Sequence, residues 1–472
     1  MSEPVVGTRT EALWTGRIAG PPDPEFFEFQ RSLPYDARLL PQDLAVNAAW
    51  ARALGGAGLL SADDVQRLET ALKEIGREVS AAAAAARDAE DVHTLVEGEL
   101  TARTGELGRR IHRGKSRNDQ VATDLRLWTA QACEAIARRT MALARALAAQ
   151  ARPWLDQEHV LPGYTHLQQA EPVLAAHWAL SHAEPFLRDV RRLSQVREAS
   201  LASCPLGSAA LSGAPVPIDR AALARDLGFA APSANSMDAV SDRDFALGFL
   251  HATGMLALHA SRLAEDLVLF SSREFGFVRL PDAFTTGSSA MPQKRNPDAC
   301  ELARGKAGRV LGRYAALFAT LKALPSGYNK DLQEDKEAVF DAAETVAGVL
   351  HALTGTVAGL ELDAPRARAA LGEWLLAAEL AERLAATGLP FRDAYATVAR
   401  AVQSLDRADG RGPASLTAAE WGALDPVFTA EVVGGLSVEA ALARRAATGG
   451  TAPARVREAL DAVEARLDAA GG

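Results

Sequence analysis

The chain has 472 residues, 48% of them hydrophobic and 24% charged, with a formal net charge of −9. That length exceeds one compact core and suits two or three domains, and the composition is that of a soluble globular protein. The acidic balance gives no global positive field, which speaks against a general nucleic-acid or anionic-membrane binder; an anionic substrate would need a local cationic cluster. Aromatics are only 6%, so the core is expected to be Ala, Leu and Val in close-packed helices. Cys133, Cys204 and Cys300 lie far apart with no CxxC pair, the pattern of a reduced intracellular chain without a zinc ribbon. No basic-then-apolar leader opens the chain and no apolar run is long enough to span a bilayer, so a cytoplasmic location is expected.

Residues 1–110 read as short helices and loops, with Leu13-Trp14 and Phe26-Phe27 as anchors. Ser32-Leu-Pro-Tyr-Asp36 precedes a helix expected through Ala53, and Ser61 caps another with an acidic first turn. Ala81–Ala86 reads as a helix end or a connector. Beyond Asp124 the pattern changes to long amphipathic helices, expected over Leu125–Ala151, Pro172–Ala202 with a kink at Pro185, Arg243–Phe270, Pro297–Leu324 and Leu332–Leu360. Arg243–Phe270 is the clearest, because Phe245, Phe249, Leu256, Leu263, Leu267 and Phe270 recur at helical spacing. No alternating strand pattern competes there. Helices of this length predict a bundle whose faces are buried against other subunits. After residue 363 the segments shorten: Leu389-Pro-Phe-Arg392 separates two helices, Asp406–Pro413 is a loop, and Thr448–Pro453 caps the last helix.

Five polar strings interrupt the helical pattern: Glu90–Thr94, Gly114–Gln120, Gly163–Gln168, Thr286–Asp298 and Tyr328–Lys336. In the fourth, Gly287 frees the backbone, Ser288 and Ser289 offer hydroxyls, and Lys294 and Arg295 supply cations. Asn296-Pro297-Asp298 reads as a helix start with Asn296 as N-cap. Together the strings hold the donors needed to grip several carboxylates. HExxH, P-loop, GxGxxG and GxSxG patterns are missing, and the histidines lack metal-ligand spacing. Taken singly, each string has a plainer reading: a packed or capping histidine, a basic turn, a solvated helix start. His112, His177, His182, His251, His259 and His351 have no polar companions in sequence and read as structural.

Gly287-Ser-Ser-Ala-Met-Pro-Gln-Lys-Arg-Asn-Pro297 resembles the signature loop of the fumarase/aspartase superfamily. Gln293 and the other four strings resemble, within it, the argininosuccinate lyase and delta-crystallin family. The resemblance implies an all-α fold of three domains, 1–112, 113–363 and 364–472. Its central five-helix bundle would tetramerise into a twenty-helix core, each active site collecting strings from three subunits. It implies a small-molecule substrate, argininosuccinate, cleaved to arginine and fumarate, with no cofactor and no metal.

For the reaction the resemblance implies Ser288 as base, with Lys294 and the nearby helix start supporting its alkoxide. His166 with Thr165 would protonate the leaving nitrogen, and Glu301 would orient His166. Which of Ser288 and His166 is acid and which base stays open. Ser32, Ser116, Asn118, Thr165, Asn296, Tyr328, Gln333 and Lys336 match substrate-holding positions, and Asp91, His93 and Arg243 match positions near the site. The chain departs from the usual pattern at Lys115 for Arg, Val46-Asn47 for Gly-Ser, Tyr395 for His and Ala378-Glu379 for Thr-Asp. Other fumarate-releasing substrates, such as adenylosuccinate, and a catalytically silent crystallin-like role are the alternatives.

Overall fold

The computed structural model describes residues 23–408 and 412–471; the Leu13-Trp14 anchor and residues 409–411 of the expected Asp406–Pro413 loop lie outside them. The described residues are mostly α-helical, with three small two-stranded sheets. The elements that carry the site are α1 (Leu40–Gly56), α2 (Val92–Thr104), α3 (Arg117–Asp156), the strands β1 (Val160–Thr165) and β2 (Gln168–Leu174), and then α4 (Ala175–Leu201), α5 (Asp244–Ser271), α6 (Asp298–Leu321) and α7 (Glu334–Ala358). The chain folds into two compact units, each assembled from three separate stretches. Met1–Ala137, Arg191–Met255 and Gly308–Val346 supply the first; Arg138–Val190, Leu256–Ala307 and Ala347–Gly472 supply the second.

Local signals explain the starts of these helices. Ser61 accepts from Asp64 N at 3.1 Å while the Asp64 carboxylate accepts from Ser61 N, a reciprocal capping box heading Ala62–Glu78. Asp91 caps α2 by accepting from Thr94 N at 2.6 Å. Ala81–Ala85 is a short helix capped by Ser80. α3 begins at Arg117, well before the expected Leu125, because the Asp119 carboxylate takes the Ser116 N–H at 2.8 Å and steadies a polar first turn.

The expected seam on α5 is real: Phe245, Phe249, Leu256, Leu263, Leu267 and Phe270 are all buried. In the first unit, Trp128 of α3 meets Phe340 of α7 edge-on at 4.5 Å and Phe249 of α5 at 6.5 Å. In the second, Trp178 of α4 packs on Phe270 of α5 at 5.5 Å and on Trp154 of α3 at 6.4 Å. Toward the C-terminus, Ala377–Ala386 and Phe391–Ala408 bury Leu380, Leu384 and Val398 around Trp421 and Phe428. The three thiols are free and buried, and burial pushes each up to about 12, which leaves them unreactive.

Two expectations need correction. The helix expected from Pro172 starts at Ala175; residues 160–174 form an antiparallel hairpin in which Pro162 faces Pro172. Its turn is only His166-Leu167, both at φ 56°, a type I′ geometry with Thr165 paired to Gln168. Second, two histidines without polar companions in sequence have carboxylate partners in space, His259 with Asp189 at 2.7 Å and His182 with Asp266 at 2.9 Å. Among the described residues no helix is long and apolar enough to cross a membrane.

Candidate active site

A cleft of about 420 Å³ opens in the first unit, of the size small-molecule sites have. Its walls include Glu90, Asp91, His93, Thr94 and Glu97 from the start of α2, Arg117 and Asn118 from the start of α3, and Tyr328, Lys330 and Gln333 from the segment before α7. Three of the five polar strings therefore meet. Arg117 reaches Glu97 at 3.3 Å and Lys330 reaches Glu90 at 3.5 Å. With Asp36 at the wall as well, acids outnumber cations, so the cleft favours a cationic group with hydrogen-bond donors. Burial would push the Asp91 carboxyl up, but Arg117 and His93 together with the Thr94 N–H outweigh it and hold it low. Burial, followed by the Asp335 charge, pushes the Tyr328 phenol well above its ordinary range, so it stays a neutral donor. Two buried cleft atoms, His93 Nε2 and Gln333 Oε1, have no hydrogen-bond partner.

Behind the wall lies a buried polar layer. Asp43 and Asn47, one turn apart on α1, face Gln120 and Asp124, one turn apart on α3. His93 Nδ1 lies 2.7 Å from Asp43 Oδ1 and 3.5 Å from Asp124 Oδ2. Asn47 Nδ2 donates to Asp43 Oδ2 at 2.9 Å, Gln120 Nε2 donates to Asp43 Oδ1, and Lys115 Nζ donates to Asn47 Oδ1. Two departures from the usual family pattern, Lys115 and Asn47, therefore touch each other. Asp43, His93 and Asp124 also come close enough for three ligand atoms to surround a small cation, a grouping that sequence spacing concealed.

Several expected residues brace the cleft from behind. Ser32 is buried and its hydroxyl donates to Asp36 at 2.6 Å; the Ser116 hydroxyl accepts from Asn118 N at 3.3 Å. Arg243 and Lys336 both lie on Asp335, Lys336 at 2.9 Å, all three almost fully buried. Burial would raise the Asp335 carboxyl, but the two cations overcome it and keep it ionised. Asp119 holds the Gly207–Ala209 turn by accepting from the Gly207 and Ala209 N–H groups, at 2.9 and 2.8 Å. Asp36, Asp43, Arg117, Asp119, Asp124 and Asp335 were missed as individual site residues. Only Arg117, Asp119 and Asp335 lay within a string that sequence singled out.

The second unit carries the other expected groups, all at its surface or half-buried. Thr165 and His166 sit exposed at the hairpin turn, where two non-glycine residues in the left-handed region carry strain that the paired strands must sustain. Gln169 anchors the turn by donating to Ala370 O at 2.7 Å and accepting from Gly372 N at 2.8 Å. The signature loop is pinched shut by backbone bonds between Thr286 and Asn296, at 3.2 and 2.8 Å. Asn296 does not cap α6; its side-chain amide donates to Thr286 Oγ1 and Gly287 O across the loop neck, at 3.3 and 3.4 Å. Ser288 Oγ accepts from Ala290 N at 3.3 Å and Met291 N at 3.2 Å, so two backbone amides point at the oxygen that would carry charge. Lys294 is exposed, and Glu301 is exposed beside Arg304 at 3.8 Å. Among the described residues no hydrogen bond joins Glu301 to His166 or Lys294 to Ser288.

The family model described as "Lyase" matches residues 16–312, and that described as "Argininosuccinate lyase C-terminal" matches residues 374–443. Argininosuccinate lyase from Thermus thermophilus is 48% identical over 450 residues, 95% of this chain and 97% of that protein. Its counterpart from Deinococcus radiodurans is 46% identical over 460 residues, covering 96% of this chain and 97% of that one. Among solved structures, EDDS lyase in complex with formate has a TM-score of 0.81 at 23% identity, over 96% of this chain and 91% of that chain. The 3-carboxy-cis,cis-muconate lactonizing enzyme from Pseudomonas putida has a TM-score of 0.71 at 23% identity, over 94% and 97%. The chain belongs to the argininosuccinate lyase family, and its predominantly helical fold is shared with these solved structures.

Proposed function

We propose that the protein cleaves argininosuccinate reversibly into arginine and fumarate, the last step of arginine biosynthesis, in the cytoplasm. The observation that carries this reading is the first-unit cleft: acid-rich, half-enclosed, and lined by Tyr328, Asn118 and Gln333, it suits the guanidinium and amino groups of an arginine moiety. A nucleotide moiety, as in adenylosuccinate, would find neither an aromatic platform beyond Tyr328 nor a cationic phosphate cradle there.

In the proposed chemistry Ser288 removes the proton from the carbon beside a succinyl carboxylate. The electron pair is held as an aci-carboxylate, then collapses to the fumarate double bond as the carbon–nitrogen bond breaks. His166, assisted by Thr165, returns a proton to the departing guanidinium nitrogen. A serine is a base only when its alkoxide is stabilised, and the Ala290 and Met291 amides aimed at Ser288 Oγ support that role. Lys294 and Glu301, exposed in the single chain, gain their partners in an assembled site. Accordingly the reading includes three domains, 1–112, 113–363 and 364–472, and a homotetramer whose active sites draw the Ser288 loop, the His166 turn and the Asn118–Gln333 cleft from different subunits.

Fumarate absorbance on adding argininosuccinate or adenylosuccinate to purified protein tests the function. Release from argininosuccinate alone is expected. Release from adenylosuccinate alone would overturn the substrate, and silence on both would favour a crystallin-like relative.

A further inference from the structure

Among the described residues, the hydrogen bonds of Ser288–Lys294 stay inside the signature loop. Ser288 Oγ accepts from the Ala290 and Met291 amides, and Lys294 N donates to Met291 O at 3.0 Å. The loop is therefore placed by its two stems. One is the start of α6, where Thr286 Oγ1 donates to the Asp298 carboxylate. The other is the short turn Pro281–Phe284, whose backbone bonds are local: Phe284 N donates to Pro281 O at 3.1 Å and Thr285 N to Asp282 O at 3.3 Å. Just ahead of it, Val278–Arg279 pairs with Glu361–Leu362, past the end of α7. What joins the turn to α7 is shape. The Phe284 ring lies on Gly355, edge-on to His351 one turn earlier with centroids 6.3 Å apart, and Pro281 lies on Gly359 one turn later. A Cβ built on Gly355 would fall inside the Phe284 ring, and one on Gly359 would stand 2.8 Å from Pro281 Cβ. Gly348, farther back on α7, would meet nothing. The two glycines form a notch that fits this turn, and any side chain there would fill it.

We infer that Phe284 is a positioning residue for the proposed base: seated on Gly355, it fixes the stem from which the Ser288 loop is held. The inference rests on Ser288 having the role proposed above. Only Thr285, Thr286 and Gly287 join Phe284 to Ser288, and the backbone bonds between Thr286 and Asn296 stiffen that link. A displaced ring therefore displaces the loop. The nearest atoms that a methyl on Gly355 would strike are Phe284 Cζ and the two Cε carbons. Methyl and ring carbons rest about 3.5–4.0 Å apart, so the ring would have to withdraw by on the order of 1–2 Å. Phe284→Leu removes those three atoms and clears the methyl of Gly355→Ala. Alone, Phe284→Leu leaves the notch half empty. The two substitutions should therefore compensate each other, as residues in direct contact do.

The test compares the full-length parent, Gly355→Ala, Phe284→Leu and the double variant, each checked for thermal unfolding. Two readouts are taken: steady-state kinetics on argininosuccinate, and the rate of tryptic cleavage after Lys294 and Arg295, both exposed, with the cuts located by mass. Gly355→Ala is expected to lower kcat about tenfold or more, since a reacting group misplaced by ~1 Å loses up to ~10²-fold. KM should stay within about twofold, because Asn118 and Gln333 of the cleft are untouched. Loop cleavage should quicken at temperatures where the protein stays folded. Phe284→Leu should move both readouts the same way by less, and the double variant should return both toward the parent. Gly355→Ala with parent-like kcat and loop cleavage overturns the inference. So does a double variant that regains thermal stability but neither kcat nor loop protection, the mark of packing alone. If Gly355→Ala does not fold, Phe284→Leu decides by the same two readouts, and parent-like values overturn the inference. If loop cleavage follows the expected order but the parent releases no fumarate, the anchoring of the loop stands and the function fails.

Discussion

The first-unit cleft and the second-unit signature loop are built in opposite ways. The cleft rests on polar groups that are buried and partnered: Arg243 and Lys336 on Asp335, His93 on Asp43, Ser32 on Asp36. The loop presents Ser288 half-buried with Lys294 exposed, and its internal order comes from the backbone bonds at its neck and the two amides on Ser288 Oγ. One region spends its polar groups on holding a shape, the other leaves them free for a reacting molecule. Mutations of the buried pairs behind the cleft should therefore lower stability, and mutations of the loop should lower turnover.

The largest expected effect is on stability. Asp335→Asn strands two buried cations, and breaking such a cluster costs about 3–5 kcal/mol, which urea unfolding would register. Ser288→Ala is expected to reverse the pattern, lowering turnover at least ~10²-fold. Its unfolding free energy should stay within ~0.5 kcal/mol of the parent, as for substitutions outside a packed core. Near-normal turnover would remove Ser288 as the base.

A pH series sharpens the same contrast. Burial, with Asp91 second, raises the Asp36 carboxyl to about 6, above its unfolded value of 3.8. A raised folded value means that its contribution is fully present below about pH 4 and is lost as pH rises through about 6. Asp36→Asn can keep both bonds, accepting from Val92 N and donating to Ser32, while removing the ionisation. The variant should therefore flatten the pH 4–7 stability slope by on the order of 2–3 kcal/mol, read from urea midpoints. The smallest expected effect is Ser61→Ala, which removes one half of an exposed capping box and should cost ~1 kcal/mol.

The same division explains what sequence disclosed. The long helices were legible because apolar spacing is a direct image of burial, as on α5. The polar strings were legible because they interrupt that spacing. The hairpin was hidden: Pro162 and Pro172 argue against strands, and a His-Leu turn carries none of the Asn-Gly chemistry that marks a type I′ bend. Asp43, Asn47, Gln120 and Asp124 were hidden for another reason. Polar pairs one turn apart on an amphipathic helix look like a solvated face until a second helix closes over them. Asn47 and Lys115 stood out only as unrelated departures, and their contact gives both a reason. Glu379, in place of the usual Asp, likewise proves to be a buried anchor for Arg383, Arg444 and Arg445.

If the prebuilt cleft and the bare loop complete each other across subunits, as proposed, two inactive variants should restore one another. Ser288→Ala and a cleft variant, Asn118→Leu, each nearly inactive alone, can be unfolded together and refolded as mixed assemblies. The account predicts fumarate release from argininosuccinate well above the sum of the two parents, since some sites then combine an intact loop with an intact cleft. Activity no greater than that sum, from mixed assemblies verified by mass, would contradict it.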